Sequence, residues 1–453
     1  MLFKETVKST IYFQNKSYSP TELETAISDF QRRVLEKVPA TSPFIYLFAS
    51  NHIKTVISFL ALVRAGKKII LVDPKIGKIE LSEIMNDTPP AVFVKFDEST
   101  IGFNYNKEIS YFEYPEPIKL HNDLSDVCIM VYTAGNDGYS KAAMLTYDSL
   151  DNNACSVVNV ANLSPETVSC AALPLHHLYG LQTGLIAPLV AGGQILIPKI
   201  DNLINMKVLA DEFCQYSVTH LYAPPLLYLL MVIDPEVNHQ LASIMQFTSG
   251  GSKLSAHVYE KFKAKFDSII QEGYGLTEAS PICSWHKPDD EVCLGSVGKK
   301  DYFADIASFD SIGNKLRLNQ SGELCIKGKN LMKGYYGHRQ LSCDIFNNGW
   351  LRTGDLGFID EYGYVFLTGL KKKMLNVAGQ KVFIPELSRH LLMYQDLVSC
   401  NIGATHSPVK GDVIEATVSL RYDTAEQRRM FEKWVRENLS AYRIPRRFIY
   451  TNC

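Results

Sequence analysis

The sequence predicts a large α/β body followed by a small α+β unit. Up to about Gly298, short apolar or β-branched runs alternate with stretches of helical periodicity, which is typical of mainly parallel sheets flanked by helices. From about 299 to 370, short strand patterns follow one another between Gly, Asn and Asp turns, which indicates an antiparallel β subdomain. We therefore predict an N-terminal domain of residues 1–370, with the β subdomain at about 299–370, and a C-terminal domain of residues 371–453.

The predicted strands in the first part are short apolar or β-branched runs, and the run 68–72 ends at the turn signal Asp73-Pro74. The strands expected there are 44–48, 68–72, 91–95, 127–133, 194–198, 218–223 and 245–249, and two helices between them are 53–63 and 256–266. The β subdomain is expected to contain strands at 306–309, 315–318, 323–327 and 363–368. In the C-terminal domain, helices at 385–394 and 425–440 are expected on either side of a strand at 413–420.

Composition excludes several classes of protein. The 453 residues are 46% hydrophobic and 21% charged with a formal net charge of −2, so no concentrated positive face for nucleic acid is expected. The ten cysteines are scattered without a CxxC spacing, which argues against a disulfide framework and favours a reducing cytoplasm. The charged N-terminus does not resemble a signal peptide, and no apolar stretch is long enough to span a membrane.

A glycine- and hydroxyl-rich segment at 132–141 follows the apolar run that ends at Val131. Backbone N–H groups exposed in such a turn can cradle phosphate oxygens, and a lysine such as Lys141 can neutralise their charge. The alternative is a polar loop in which Gly135 and Gly138 are ordinary turn residues.

Two further segments carry chemistry. In 272–278, glycines flank Tyr274, which could stack on a base, and Glu278 could hold Mg²⁺ against a triphosphate. In 350–355, Asp355 lies in a tight turn and is suited to a ribose diol. Each segment alone is a weak signal, because Gly-Asp turns are common.

Together, in this order and spacing, the three segments resemble the adenylate-forming superfamily of acyl-CoA synthetases, luciferases and peptide-synthetase adenylation domains. The resemblance covers nearly the whole chain. The other matching segments are 18–23, 173–180, 248–251, 295–298, 322–324, 369–379 and 384–386.

The resemblance implies a role for each matching residue. The residues expected to line the ATP phosphates are Thr133, Gly135, Gly138 and Lys141. Those expected at the adenine are Gly250, Gly251, Tyr274 and the neighbouring Gly275. Thr277 would contact the α-phosphate, Glu278 would coordinate Mg²⁺ and Asp355 would bind the ribose. His177 would shape the carboxylate site, with a packed core histidine as the alternative. Lys372 would be the hinge of a mobile small domain. Gly379 would approach the thioester-forming centre.

The implied reaction has two half-reactions that use ATP, Mg²⁺ and CoA. A carboxylate attacks the α-phosphate of ATP to give acyl-AMP and pyrophosphate, with Thr277, Glu278, His177 and Lys141 as the expected catalytic group. The small domain then rotates, and a thiol attacks the acyl carbonyl and expels AMP.

Three departures from the family pattern affect ATP handling. Asp137 places a carboxylate in the phosphate segment, where repulsion of a triphosphate is expected if it points inward. Leu370 replaces the arginine that usually follows the hinge glycine. The printed sequence ends at Cys453, before the family's Gly-Lys motif, so adenylation is the half-reaction expected to suffer most.

The segment 176–180 resembles fatty-acyl and aryl-acid CoA ligases more than domains that select amino acids, so an unsubstituted apolar or aromatic acid is expected. Leu226, Leu227 and Phe247 are candidates for an apolar pocket, although their spacing suits core packing better. Two alternatives to an acyl-CoA synthetase remain at this point. One is a ligase that loads the phosphopantetheine of a carrier protein, and the other is a degenerate adenylate fold that binds without turnover.

Overall fold

The computed structural model describes residues 6–39, 41–100, 102–133, 140–198, 205–288, 290–300, 303–370, 374–377, 380–407 and 411–451. Residues 6–370 are called the large body below, and residues 374–451 the small unit.

The first half of the large body alternates strands and helices, as expected. Its first helix illustrates why. Ser19 caps the helix in a capping box with Glu22, and the residues Leu23, Ile27, Phe30 and Val34 form its buried stripe. The strands are β1 Ile11–Phe13, β2 Lys16–Tyr18, β3 Phe44–Phe48, β4 Lys68–Val72, β5 Pro90–Val94, β6 Ile109–Tyr111, β7 Val127–Thr133, β8 Lys141–Thr146, β9 Val168–Cys170 and β10 Gln194–Ile197, and the helices are α1 Pro20–Val34, α2 Ile53–Arg64, α3 Lys78–Asp87, α4 Tyr105–Glu108, α5 Tyr147–Val160, α6 Leu178–Leu181 and α7 Ala187–Ala191.

The second half of the large body changes from alternating elements to consecutive strands. Its elements are α8 Met206–Gln215, β11 His220–Ala223, α9 Pro225–Ile233, β12 Gln246–Ser249, α10 Ala256–Phe266, β13 Ile270–Gly275, β14 Ile282–Trp285, β15 Ser296–Lys300, β16 Ala304–Phe309, β17 Gly322–Gly328, β18 Gly334–Tyr335, α11 Arg339–Ile345, β19 Phe346–Asn347, β20 Trp350–Ile359 and β21 Tyr364–Leu370. The small unit contains β22 Met374–Val377, β23 Gln380–Phe383, α12 Ile384–Leu391, β24 Leu397–Ser407, β25 Gly411–Leu420, α13 Ala425–Asn438 and β26 Arg447–Tyr450.

Two large sheets form the large body. One has the order β18-β8-β7-β4-β3-β5-β6, with β5, β3, β4 and β7 parallel. In the other, strands β1, β10, β9, β11, β12 and β13 are parallel, and antiparallel pairing begins between β13 and β14. The expected β subdomain therefore continues the second parallel sheet, and its antiparallel strands run β14-β15-β21-β20-β17-β16.

The core between these sheets contains one helix, α2, that is buried along almost its whole length. Helix α2 is buried from Ile53 to Val63, so its pattern is that of an interior helix. The buried Lys54 within it donates to Glu108 Oε1 at 2.6 Å, which pairs a charge that would otherwise be costly to bury. The small unit has a core of its own, formed by α12, α13 and the sheet β23-β22-β25-β24 with β26 on β25.

The α/β fold class is confirmed, and several predicted elements match to the residue, among them β3, β4, β7 and α10. The strand expected at 315–318 is wrong, since only Lys315 forms an isolated bridge, to Phe309. The chain turns there because Gln320 Oε1 accepts from Arg317 N–H and Asn319 adopts a φ of +64°. The cysteines at the nine positions described are thiols and not disulfides, and no helix in the described ranges is both long and apolar enough to cross a bilayer.

Candidate functional site

A cavity of about 730 Å³ opens at the carboxyl ends of β7, β11, β12 and β13. Ligands of open α/β sheets bind at this edge, because the loops that follow parallel strands converge there. The predicted site residues that line the cavity are Thr133, His177, Gly250, Gly251, Gly275, Thr277 and Glu278. Residues from distant parts of the sequence are thus brought to one wall.

Glu278 lies at the centre of a hydroxyl network. Its Oε1 accepts from Thr133 Oγ1 at 3.0 Å and from the Tyr335 hydroxyl at 2.8 Å. The main chain is also held, since the Glu278 carbonyl accepts from Met332 N–H at 2.8 Å. The sequence analysis missed Tyr335, whose available signal was the aromatic pair after Gly334. The network fixes one carboxylate oxygen of Glu278 at the strand ends that open onto the cavity.

The segment 353–355 was expected to form a tight turn, but it lies inside strand β20, because antiparallel pairing with β17 and β21 continues through it. Its conformation is also fixed by hydrogen bonds of its own. Thr353 Oγ1 donates to the Leu324 carbonyl at 2.7 Å and accepts from Asp355 N–H at 3.0 Å, while Gly354 takes a φ of +76° that favours glycine. Tyr274 donates its hydroxyl to Asp355 Oδ2 at 2.6 Å. Burial and then the charge of Asp355 raise the pKa of Tyr274 well above its usual range, so the hydroxyl keeps its proton.

The segment that carries His177 is held by one side chain. The Asn51 amide donates to the carbonyls of Ala171 and Leu173 at 2.7 and 2.9 Å, and its oxygen accepts from Leu175 N–H at 2.9 Å. Position 51 carried no signal in the sequence analysis, because these contacts span more than 100 residues.

His177 lines the cavity and does not lie in a packed core. Burial, with a smaller effect of His176, lowers the pKa of His177 to about 3, so the ring is neutral at physiological pH. The side-chain amide of Gln380, at the start of β23 in the small unit, donates to His177 Nε2. The small unit therefore contacts the cavity wall directly.

The glycine turn after β12 is shaped by a tyrosine. A Cβ atom on Gly250 would lie 2.8 Å from Cε1 of Tyr179, so a larger residue requires the ring to move. Gly251 follows with a φ of +84°. Leu227 and Phe247, candidates for an acyl pocket, are buried in the second core of the large body instead, so their interpretation as core residues is the better one.

The phosphate segment is only partly described. Lys141 pairs with Thr133 across strands β7 and β8, and its side chain is buried. Ser140 donates its hydroxyl to Glu386 Oε1 of the small unit at 2.7 Å. The predicted residues Gly135, Gly138, Lys372 and Gly379, and Asp137, lie outside the described residues, as does the side chain of Leu370.

Within the described ranges, Glu83, Glu386 and His390 offer ligand atoms that all lie within 4.8 Å of one another. Arg389 pairs with Glu83 and Arg443 with Glu386, so both carboxylates already face a guanidinium. This charge balance favours an ion-pair network over a cation site.

Comparison with known proteins decides the family. The AMP-binding enzyme family matches residues 9–336, more than half of the chain. The chain belongs to the AMP-binding enzymes. It is 24% identical to the feruloyl-CoA synthase of an Amycolatopsis species over 417 residues, which cover 89% of this chain and 83% of that protein. It is also 24% identical to the long-chain-fatty-acid–CoA ligase of Yersinia pestis over 436 residues, which cover 95% of this chain and 75% of that protein.

Two solved structures define the fold of this AMP-binding enzyme. A malonyl-CoA ligase, in a ternary product complex with methylmalonyl-CoA and AMP, superposes with a TM-score of 0.83 at 22% identity and covers 98% of this chain and 96% of that one. MatB from Rhodopseudomonas palustris with bound ATP superposes with a TM-score of 0.72 at 21% identity and covers 99% and 94%. The predicted adenylate-forming family is confirmed, and the relatives and the first structure named above are CoA synthases or ligases.

Proposed function

We propose that the cavity of this AMP-binding enzyme carries out both half-reactions of an AMP-forming acid–thiol ligase. The observation that carries the proposal is the position of Glu278, which two hydroxyls hold at the strand ends in a cavity that the glycine turn 250–251 and His177 also line. Such positioning of charge and dipoles supplies most of the rate enhancement expected for transfer at phosphorus.

In this proposal the nucleotide lies along the carboxyl ends of β12 and β13. Gly250 and Gly251 leave room for the adenine. Asp355 holds the ribose, and the Tyr274 hydroxyl fixes one carboxylate oxygen of Asp355. Thr277 contacts the α-phosphate, and the loop before Lys141 holds the remaining phosphates. Family membership supports this placement, since its enzymes bind AMP.

Glu278 fits a magnesium ion. Oxygen ligands from carboxylates are the ones Mg²⁺ prefers, and the two hydroxyl bonds to Oε1 orient the carboxylate at the cavity wall. When bound, the ion would neutralise charge on the phosphates. The residues Thr133 and Tyr335 would keep the carboxylate in place throughout.

His177 is proposed to position the substrate carboxylate without binding it as an ion pair. A cationic ring would hold the carboxylate tightly and reduce its nucleophilicity, whereas the neutral ring supplies a polar contact only. In this proposal His177 Nε2 accepts from the Gln380 amide, and Nδ1 carries the ring proton.

We propose that the small unit is docked on the large body in the position used for the thioester-forming half-reaction. Gln380 adjoins Gly379 in the sequence and reaches His177, and the chain superposes better on the ligase with CoA product than on the ATP-bound ligase. The predicted domain 371–453 would turn about Lys372 for adenylation. Asp137 and Leu370 are the residues that lead us to expect adenylation to be the slower half.

The proposed substrate is a fatty or aromatic carboxylic acid, and the proposed acceptor is CoA. The relatives named above act on feruloyl and long-chain fatty acyl groups, and the cavity wall includes apolar side chains such as Leu71, Val131 and Leu276. The proposed compartment is the cytoplasm, where the described cysteines would remain thiols.

Mass spectrometry of complete reactions tests this function. Protein, ATP, Mg²⁺ and a panel of fatty, benzoic and cinnamic acids are incubated with CoA or with a phosphopantetheinylated carrier protein. The expected result is an acyl-CoA with equal amounts of AMP. An acyl carrier protein with no acyl-CoA would replace CoA as acceptor, and neither product from folded protein would leave a binding protein without turnover.

A further inference from the structure

Helix α3 of the large body brings two carboxylates, Glu80 and Glu83, to the face that the small unit covers. The apolar contribution of this helix to the small unit is Ile79, which packs against its core. The rest of the contact is dominated by charged and polar groups. Interfaces of this kind within a chain resemble those of transient complexes.

The first contact group is buried and joins three segments. Arg443 Nη1 donates to Glu386 Oε1 at 2.9 Å, and its Nε lies 3.5 Å from Glu80 Oε1. These side chains are at most 6% exposed. Glu386 Oε1 also accepts from Ser140, so the group reaches the end of the phosphate segment.

The second group lies one helical turn further along α3. Arg389 Nη1 donates to Glu83 Oε1 at 2.5 Å, and His390 Nε2 lies 3.1 Å from Glu83 Oε2. Burial alone would raise the pKa of Glu83, but the hydrogen bonds from His390 and Arg389 lower it to about 2. Glu83 is therefore ionised while the small unit is in place.

The start of α3 is fitted closely to the end of α13. Gly77 N–H donates to Ser440 Oγ and Ser440 N–H donates to Glu80 Oε1, both at 3.1 Å. A Cβ atom on Gly77 would lie 2.5 Å from the Asn438 carbonyl oxygen. The two units thus meet at a defined position, fixed by backbone contacts as well as by charge.

We propose that Glu80 and Glu83, with their partners Arg443 and Arg389, form a latch that holds the small unit in the thioester-forming position and opens for adenylation. The inference rests on the proposed function and adds positioning residues for its second half-reaction. When the units separate, each charged group of an intact pair exchanges its partner for water. The net contribution of the pairs to docking is therefore modest, and the latch can open. Loss of one partner leaves an uncompensated charge in the docked state alone, which shifts the equilibrium towards separation.

The test measures the two half-reactions separately. ATP–pyrophosphate exchange reports adenylation, and single-turnover mixing of synthetic acyl-AMP with CoA reports thioester formation. The variants are Glu83→Arg, Arg389→Glu and the double exchange. The wedge Gly77→Val leaves the net charge unchanged and disrupts the same contact, because its Cβ would displace both the Glu80 carboxylate and the Asn438 carbonyl. The matched control is the pair Asp423 and Arg428, an ion pair within the small unit that is reversed in the same way.

Each single reversal and the wedge are expected to slow thioester formation about tenfold or more while exchange stays at or above its wild-type rate. The double exchange is expected to recover most of the loss, and the control pair to change neither rate. Equal loss of both half-reactions in folded single variants, no effect on thioester formation, or no recovery in the double exchange would overturn the latch.

Small-angle X-ray scattering supplies a readout that does not depend on catalysis. The single reversals are expected to have a larger radius of gyration than the wild type, and the double exchange to return to it. If the wild type turns over no acid but the scattering follows this pattern, the proposed function fails and the latch stands. An unchanged radius in every variant would contradict the latch even in an active enzyme.

Discussion

The site has two halves that are built from different interactions. On the large body, the side chains of Thr133, Tyr335, Glu278, Tyr274 and Asp355 are joined by hydroxyl–carboxylate bonds between elements that share one core. On the small unit, ion pairs that span 300 residues or more provide much of the attachment, as between Arg389 and Glu83. The first half is therefore preorganised, whereas the second half is attached in large part by charged groups that water can also solvate.

The largest effect on activity is expected from a substitution at Glu278, in the preorganised half. Glu278→Gln keeps an oxygen that can accept from Thr133 and Tyr335 but removes the charge proposed to hold Mg²⁺. We expect exchange to fall by about a thousandfold, in line with the removal of one key electrostatic group. Thioester formation from synthetic acyl-AMP is expected to fall far less, and an equal loss in both assays would contradict the assignment.

The shape of the nucleotide slot gives the next largest effect. Gly250→Ala places a methyl group against the Tyr179 ring, and we expect kcat/KM for ATP to fall about a hundredfold because misplacement by an ångström is costly. Tyr179→Leu in the same protein should recover part of the loss. Gly403→Ala, at a position where a Cβ meets nothing within 4 Å, is the control.

A smaller effect is expected from one hydroxyl. Tyr335→Phe removes one of the two donors to Glu278, and we expect exchange to slow about tenfold, as for the loss of a hydrogen bond to a charged group. Tyr336→Phe is the matched control, since its hydroxyl accepts from His121 N–H away from the cavity. If both variants slow exchange alike, the effect comes from packing.

The smallest effect concerns stability and pH. Burial raises the pKa of Glu272 from 4.5 to about 7, so the folded state holds a proton that the unfolded state has released between these values. The resulting destabilisation grows through this window as pH rises. Glu272→Gln removes it and should gain about 2 kcal/mol more at pH 8 than at pH 5.5. Urea unfolding measures this, with the exposed Glu361→Gln as a control; an equal gain at both pH values would rule out titration as the cause.

The same contrast explains what the sequence could predict. Local patterns identified β3, β4, β7 and α10 to the residue, because strand and helix periodicity and turn residues lie within a few positions of one another. Short motifs likewise pointed to Thr133 and Glu278, which the fold joins by a hydrogen bond at the cavity. The strand at 315–318 failed because a side-chain contact from Gln320 turned the chain.

The latch could not be predicted in this way. Glu80, Glu83, Arg389 and Arg443 are single charged residues on ordinary amphipathic segments, and surface exposure is the usual interpretation of such residues. Their pairing depends on how two separately folded cores meet, and no local periodicity contains that information. The contacts of Asn51 and Tyr335 lie within the large body, but their partners are also distant in the sequence, at Ala171, Leu173 and Leu175 for Asn51 and at Glu278 for Tyr335.

Carboxylate-dependent ATP–pyrophosphate exchange with Mg²⁺ tests the central claim most directly. Wild-type protein and Glu278→Gln are compared across short, medium and long fatty acids and benzoic and cinnamic acids, with circular dichroism to establish folding. The account predicts exchange with at least one fatty or aromatic acid in the wild type and its near-complete loss in Glu278→Gln. Folded wild-type protein that exchanges with no acid, or a variant that exchanges as fast as the wild type, would contradict it.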